Sequence, residues 1–163
     1  VPGSVLWLLA DNPFAQANLT RVAVDEGVAA ERLVFAPRAQ PADYLARFQL
    51  ADLFLDTFPY NAGTTASDCL WMGTPILTRS GRTYISRMAG SLLTAVGLPD
   101  LITETIADYE ARAIQLGRQP ARVASYKRYL QEHGRQSALF DVPAMVRDLE
   151  HEFEQLALAA RQG

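Results

Sequence analysis

Thr64, Thr65 and Asp68 are the residues best suited, by type and spacing, to hold a ligand. They belong to residues 61–78, NAGTTASDCLWMGTPILT. This stretch reads as a small-residue loop, a short helix opening on two threonines, a glycine stop and a buried strand. A helix start offers unpaired backbone N–H groups and the positive end of the helix dipole, and the hydroxyls add further donors. Together these suit a phosphate. Asp68 follows Thr64 by four residues, so both face one side of the helix. A carboxylate one turn below a phosphate is well placed for a ribose hydroxyl. Threonines also cap helices without any ligand, an interaction worth about 1 kcal/mol. Asn61-Ala62-Gly63 adds weight to the ligand reading, because small side chains let a ligand approach the backbone closely. Neither a Walker P-loop nor the Gly-x-Gly-x-x-Gly fingerprint is present.

Other polar residues carry two readings each. Tyr44 and Arg47 lie three apart on a short helix over residues 41–48. They are either ordinary surface residues or a ring for a base to stack on and a guanidinium for its oxygens. Arg38, just past a strand end, either neutralises a phosphate or is solvated. Arg79-Ser80-Gly81-Arg82-Thr83 follows a strand and brings two cations and two hydroxyls to one loop. Arg87 stands in the first turn of the next helix, where a cation is disfavoured unless an anion offsets it. His133 and His151 have no companion and read as surface residues. Cys69, the one cysteine, reads as a buried structural thiol. Asp52, Asp56 and Asp68 form no metal-binding pattern, and Asp56 is expected to cap the loop after its strand. No Ser/His/Asp or Cys/His constellation can be assembled.

The elements that must position these residues alternate. Residues 4–10 read as a strand covered on both faces. Asn12 caps a helix that has Pro13 at its first position and ends at Gly27. Residues 32–35, 52–56 and 76–78 are strands. Residues 84–96 have a helical period closed by Gly97 and Pro99, and residues 101–102 are a short edge strand. Helices follow over 105–116, 121–133 and 142–160, the last with Val142, Met145, Val146, Leu149, Phe153 and Leu156 on one stripe. Alternating strands and helices imply an α/β protein with a parallel sheet and a helical C-terminal tail over about residues 105–160. Ligands bind at the carboxyl ends of such strands. The loops 35–38, 57–63 and 79–83 all follow strands and are expected at one edge.

The 163 residues fit one domain, 1–163. A net charge of −3 gives no basic surface for nucleic acid. No apolar run reaches the roughly 20 residues of a membrane span. One cysteine leaves no disulfide and no cysteine pair for zinc, which suggests a reducing, cytoplasmic setting. The start at Val1-Pro2, without Met, is expected of a piece from within a larger protein.

Several segments together resemble the C-terminal half of the catalytic region of the O-linked N-acetylglucosamine transferase family. The likeness is greatest to bacterial members with tetratricopeptide repeats upstream. The matching pieces are VPGSVLWLL at residues 1–9, Gln49-Leu50-Ala51-Asp52 through Leu55-Asp56-Thr57, and Thr64-Thr65 through Asp68 with Leu70-Trp71. Gly73-Thr74-Pro75 and Ser86-Arg87 complete the set. The resemblance implies a GT-B glycosyltransferase whose Rossmann-like C-terminal domain holds a UDP-sugar without a metal or other cofactor. It implies Thr64 and Thr65 on the diphosphate, Asp68 on the ribose, Tyr44 packed against uracil, Arg47 at its edge and the Ala39 backbone bonded to the base. Arg38 keeps a charge that relatives carry as lysine nearby. Gly63 stands where the family commonly has histidine, which removes a phosphate donor. The resemblance also implies inverting transfer of N-acetylglucosamine to Ser or Thr hydroxyls of protein acceptors held by upstream repeats. Catalytic residues are then expected outside this chain, and the fragment is expected to be inactive alone. A non-catalytic nucleotide-binding or interaction module is the alternative, favoured by Gly63. A sugar-nucleotide epimerase would need cleft carboxylates and a histidine that are not found here.

Overall fold

A computed structural model describes residues 1–162, the last by its backbone only. The chain divides into two compact units, Val1–Arg47 and the part from Phe48 onwards, where sequence reading expects one domain over 1–163. The architecture is α/β, every strand pairing is parallel, and the C-terminal part is helical.

In the first unit β1 (Leu6–Leu9) pairs in parallel with β2 (Leu33–Ala36), Leu6 opposite Leu33 and Leu9 opposite Ala36. Between them runs α1 (Pro13–Asp25). Asn12 Oδ1 accepts the Ala15 N–H at 2.7 Å and Pro13 takes the first turn, as expected. Gly27 turns the chain out at φ +76°, a conformation that favours glycine. One expectation fails here. Residues 4–10 are not covered on both faces: Leu6 and Leu9 are 45% and 51% exposed. β1 has β2 as its strand neighbour, and no residue of α1 is buried.

Helix α2 (Pro41–Leu50) carries the division between the units, which falls between Arg47 and Phe48. Its C-terminal carbonyls are held inside the second unit. Lys127 Nζ donates to Gln49 O at 3.0 Å and Ala51 O at 2.8 Å, and Thr74 Oγ1 donates to Phe48 O. Cations and hydroxyls are suitable partners for the orphan carbonyls of a helix end.

The second unit is built on the sheet β3-β4-β5, with β3 at Phe54–Leu55, β4 at Ile76–Arg79 and β5 at Ile102–Thr103. Central β4 is its most buried strand: Ile76, Leu77 and Thr78 are fully buried. Helix α3 (Thr64–Trp71) presents Ala66, Cys69 and Leu70 to the core, and α4 (Met88–Ala95) presents Ala89 and Leu93. Helices α5 (Ile106–Gly117) and α6 (Pro120–His133) close the core with Leu116, Val123, Tyr126 and Leu130. These positions recur at three- and four-residue intervals, the period of one helix face. The helix expected over 84–96 opens as a 3-10 turn, Ile85–Arg87, before α4 begins. The last helix, α7 (Val142–Gln162), carries its expected apolar stripe, and Val142, Met145, Leu149, Phe153 and Leu156 are all exposed. Among the described residues no helix is long and apolar enough to cross a membrane.

Candidate functional site

Helix α3 is positioned from both ends. Its apolar positions 66, 69 and 70 lock one face into the core, and Gly73, at φ +84°, turns the chain into β4. Thr64 and Asp68 are left on the opposite face. Thr64 is exposed and Asp68 half-buried, with the helical register expected of residues four apart.

The start of α3 differs from an ordinary capped start. Gly63 occupies the N-cap and supplies no side-chain acceptor, and neither threonine hydroxyl makes a cap bond. The first intrahelical bond closes from Ser67 N to Gly63 O at 3.0 Å. The amides of Thr64, Thr65 and Ala66 therefore precede the first bond of the helix; Ala66 is buried in the core, and those of Thr64 and Thr65 stand where an anion can take them. Gly63 itself has negative φ, and a Cβ there would meet Met88 Cγ at an ordinary 3.7 Å. The backbone does not require glycine at this position.

The loop that delivers α3 is tied down from beneath. Asp56, at the end of β3, is only 5% exposed. Its Oδ1 accepts the Ala62 N–H at 2.8 Å and its Oδ2 accepts the Thr78 hydroxyl at 2.6 Å. The Tyr109 hydroxyl donates to the Asp56 carbonyl at 3.0 Å. Asn61, fully buried, donates from Nδ2 to Thr57 O at 2.8 Å, and its Oδ1 has no hydrogen-bond partner. The loop contains a cis Phe58–Pro59 peptide. The expectation that Asp56 caps this loop is met. Thr78 and Tyr109 are partners the sequence did not reveal, because they lie 22 and 53 positions away along the chain.

Burial sets the electrostatics of this region. It pushes the Asp56 carboxyl above its ordinary 3.8, against the opposing bonds from Thr78, Ala62 and Thr57. It raises the Tyr109 phenol to about 12, with the Asp56 charge adding to the effect. The Cys69 thiol is driven well above its ordinary 9.0 by burial first and by Asp68 and Asp56 next, so it is held neutral and unreactive.

Two of the expected loops meet in this unit. Asn61 Nδ2 reaches Arg79 O at 3.4 Å, and the Arg79 guanidinium lies 4.3 Å from the centre of the Phe58 ring. Loop 79–83 folds tightly: Gly81 N donates to Ser86 O at 2.8 Å, and a Cβ on Gly81 would collide with Ser86 Oγ at 2.5 Å. Arg82 and Arg87 are exposed and in no ion pair among the described residues, so no salt bridge offsets Arg87 at the start of α4. His133 and His151 are both exposed, as expected.

The remaining predicted residues lie in the first unit. Arg38 is exposed and its Nη2 contacts Asp11 Oδ1 at 2.5 Å in an ion pair. Arg47 Nη1 donates to Pro37 O at 2.5 Å, tying α2 to the loop after β2. Ala39, Tyr44 and Arg47 are half-buried. The structure thus gathers Gly63, Thr64, Thr65 and Asp68 on one helix start, and Arg38, Ala39, Tyr44 and Arg47 around the loop after β2 and the helix that follows.

The chain is similar to known proteins over nearly all of its length. Residues 1–149 match Glycosyl transferase family 41. A Caenorhabditis elegans UDP-N-acetylglucosamine–peptide N-acetylglucosaminyltransferase is 35% identical over 150 residues, covering 92% of this chain and 13% of that protein. A probable Arabidopsis thaliana transferase of the same name is 31% identical over 154 residues, covering 94% of this chain and 16% of that protein. Among solved structures, a mutant O-GlcNAc transferase from Thermobaculum terrenum superposes with a TM-score of 0.85 at 30% identity, over 93% of this chain and 30% of that one. The chain therefore spans a minor part of the length of the proteins it matches. With its parallel α/β architecture, its helical C-terminal part and a match over nearly all of its length, this chain belongs to glycosyl transferase family 41.

Proposed function

We propose that this chain is the donor-binding part of an inverting glycosyltransferase that uses UDP-N-acetylglucosamine and modifies Ser or Thr hydroxyls of proteins. The observation that carries the reading is the open start of α3. Thr64 and Thr65 offer backbone amides ahead of the first helical bond, their two hydroxyls stand beside them, and no side chain caps them. Family membership and the activities named for its relatives supply the chemistry that such a start serves.

In this reading Thr64 and Thr65 hold the diphosphate with the Gly63 backbone beside them, and Asp68 accepts from a ribose hydroxyl. In the first unit Tyr44 packs against the uracil ring, Arg47 meets its edge, the Ala39 backbone bonds the base, and Arg38 supplies positive charge. UDP leaves with growing negative charge. Preorganised N–H, hydroxyl and guanidinium donors stabilise it without a metal ion, because their dipoles are already aimed when the charge develops. Catalytic groups, acceptor-binding repeats and the transfer step itself belong to the parent protein, and the isolated part binds donor without transferring it. A reducing cytoplasmic setting fits the buried, neutral Cys69.

Gly63 favours a second reading, a nucleotide-binding module that does not catalyse, since this position offers no side-chain donor to the leaving group. One experiment addresses both. The full-length protein is titrated with UDP by calorimetry and assayed for UDP-sugar hydrolysis as wild type, as Thr64→Ala with Asp68→Ala, and as Gly63→His. The double variant is expected to lose UDP binding, and unchanged binding would remove the proposed site. Hydrolysis in the wild type or in Gly63→His supports the transferase reading. Its absence from both supports the module.

A further inference from the structure

We propose that Asp56 is a positioning residue for the donor site, its buried carboxylate clamping the 57–63 loop and so aiming the first turn of α3. The inference rests on the reading of that turn as the diphosphate-holding element.

Four anchors converge on this one residue. Its amide donates to Leu77 O at 3.0 Å, which continues the β3–β4 ladder. Its carbonyl accepts the Tyr109 hydroxyl of α5 at 3.0 Å. Its Oδ2 accepts from Thr78 of β4 at 2.6 Å. With backbone and one carboxylate oxygen thus fixed to the sheet and α5, the other oxygen holds the Ala62 amide at 2.8 Å. Ala62 is separated from Thr64 by Gly63 alone, so the grip is applied two residues before the helix begins.

The rest of the loop is closed on itself around that grip. Thr57 Oγ1 donates to Tyr60 O at 2.7 Å, and Asn61 Nδ2 donates to Thr57 O at 2.8 Å. A loop held this way gives a glycine N-cap a defined entry direction, which Gly63 cannot supply through a side chain of its own. A carboxylate with few neighbours in water is a poor structural acceptor, but one that is 5% exposed and bonded on both oxygens is rigid. Rigid second partners of this kind hold ligand-binding groups within the narrow tolerance that recognition demands.

The full-length protein tests this. UDP affinity by calorimetry, donor KM and kcat, and thermal unfolding are compared for Asp56→Ala, Asp56→Asn and Thr64→Ala. Asparagine keeps an acceptor for the Ala62 N–H, whereas alanine does not. Asp56→Ala is expected to weaken UDP and raise the donor KM by roughly tenfold, with kcat at saturating donor within about threefold. Asp56→Asn is expected to recover UDP affinity to within about threefold of wild type. Unchanged affinity in Asp56→Ala, with Thr64→Ala weakened, overturns the clamp and leaves the α3 reading standing. Unchanged affinity in Thr64→Ala overturns the reading on which the clamp rests. An equal loss in Asp56→Asn and Asp56→Ala also overturns the clamp, because shape and acceptor then fail to rescue. Should Asp56→Ala not fold, Thr78→Val removes the Oδ2 anchor at nearly constant volume. Faster amide exchange at Ala62 and a roughly threefold loss of UDP affinity are expected there, and no change in either overturns the proposal.

Discussion

Helices α3 and α5 both start at threonine, and the two starts are used in opposite ways. At α5, Thr105 sits at the N-cap: its Oγ1 accepts the Asp108 N–H at 3.0 Å and donates to the Asp108 carboxylate at 2.6 Å. That start is satisfied from within the chain. At α3 the threonines have moved one and two places inward and glycine takes the cap. Their hydroxyls make no cap bond, which is the arrangement the proposed diphosphate site requires. Residue type alone does not distinguish a structural threonine from a ligand-holding one. In the proposed reading, place relative to the N-cap is what separates Thr64 and Thr65 from Thr105.

The arginines offer a second comparison. Arg38 and Arg47 of the first unit already have partners, Asp11 and Pro37 O, whereas Arg82 and Arg87 of the second are exposed and in no ion pair among the described residues. The Arg38 pair is exposed and is worth little to stability, about 0–1 kcal/mol. A phosphate can therefore compete for that guanidinium at small expense.

Breaking the contrast between the two helix starts should give unequal effects. The largest is expected from Thr64→Ala combined with Thr65→Ala in the full-length protein. Loss of bonds to a charged diphosphate, each worth about 1.5–3 kcal/mol, should weaken UDP by about tenfold to a hundredfold or more. Calorimetry reads the affinity, and denaturant unfolding should show little loss of stability, since no cap is removed. The converse change is smaller. Thr105→Ala should lower unfolding stability by about 1 kcal/mol, within the 0.5–2 typical of a lost cap, and leave UDP affinity where it was. A stability loss in the α3 variant equal to that of Thr105→Ala would erase the distinction between the two starts.

Local chemistry was legible in the sequence, and tertiary partnerships were not. Asn12 and Pro13 announced α1, and Gly27 and Gly97 ended helices at φ +76° and +85°, because caps and left-handed turns depend on a few adjacent residues. The shared face of Thr64 and Asp68 followed from helical period alone. The exposure of Leu6 and Leu9 on β1 is not legible in the sequence, because an apolar run states what a strand can tolerate and not what covers it. The place of Asp56 at a strand end marks it as a loop cap, but its bonds to Thr78 and Tyr109 join residues 22 and 53 positions apart, and no local pattern encodes those. The partners of Arg38 and Arg47 were hidden for the same reason. Type, spacing and family likeness point to the polar residues proposed to contact UDP, whereas the uncapped start of α3 is visible only in the fold.

The most direct test of the central claim is a crystal structure of the full-length protein with UDP bound. The account predicts diphosphate oxygens within about 2.7–3.2 Å of the Thr64 and Thr65 amides or hydroxyls, and a ribose hydroxyl bonded to Asp68. UDP bound elsewhere, or seated with its diphosphate away from the start of α3, would contradict it.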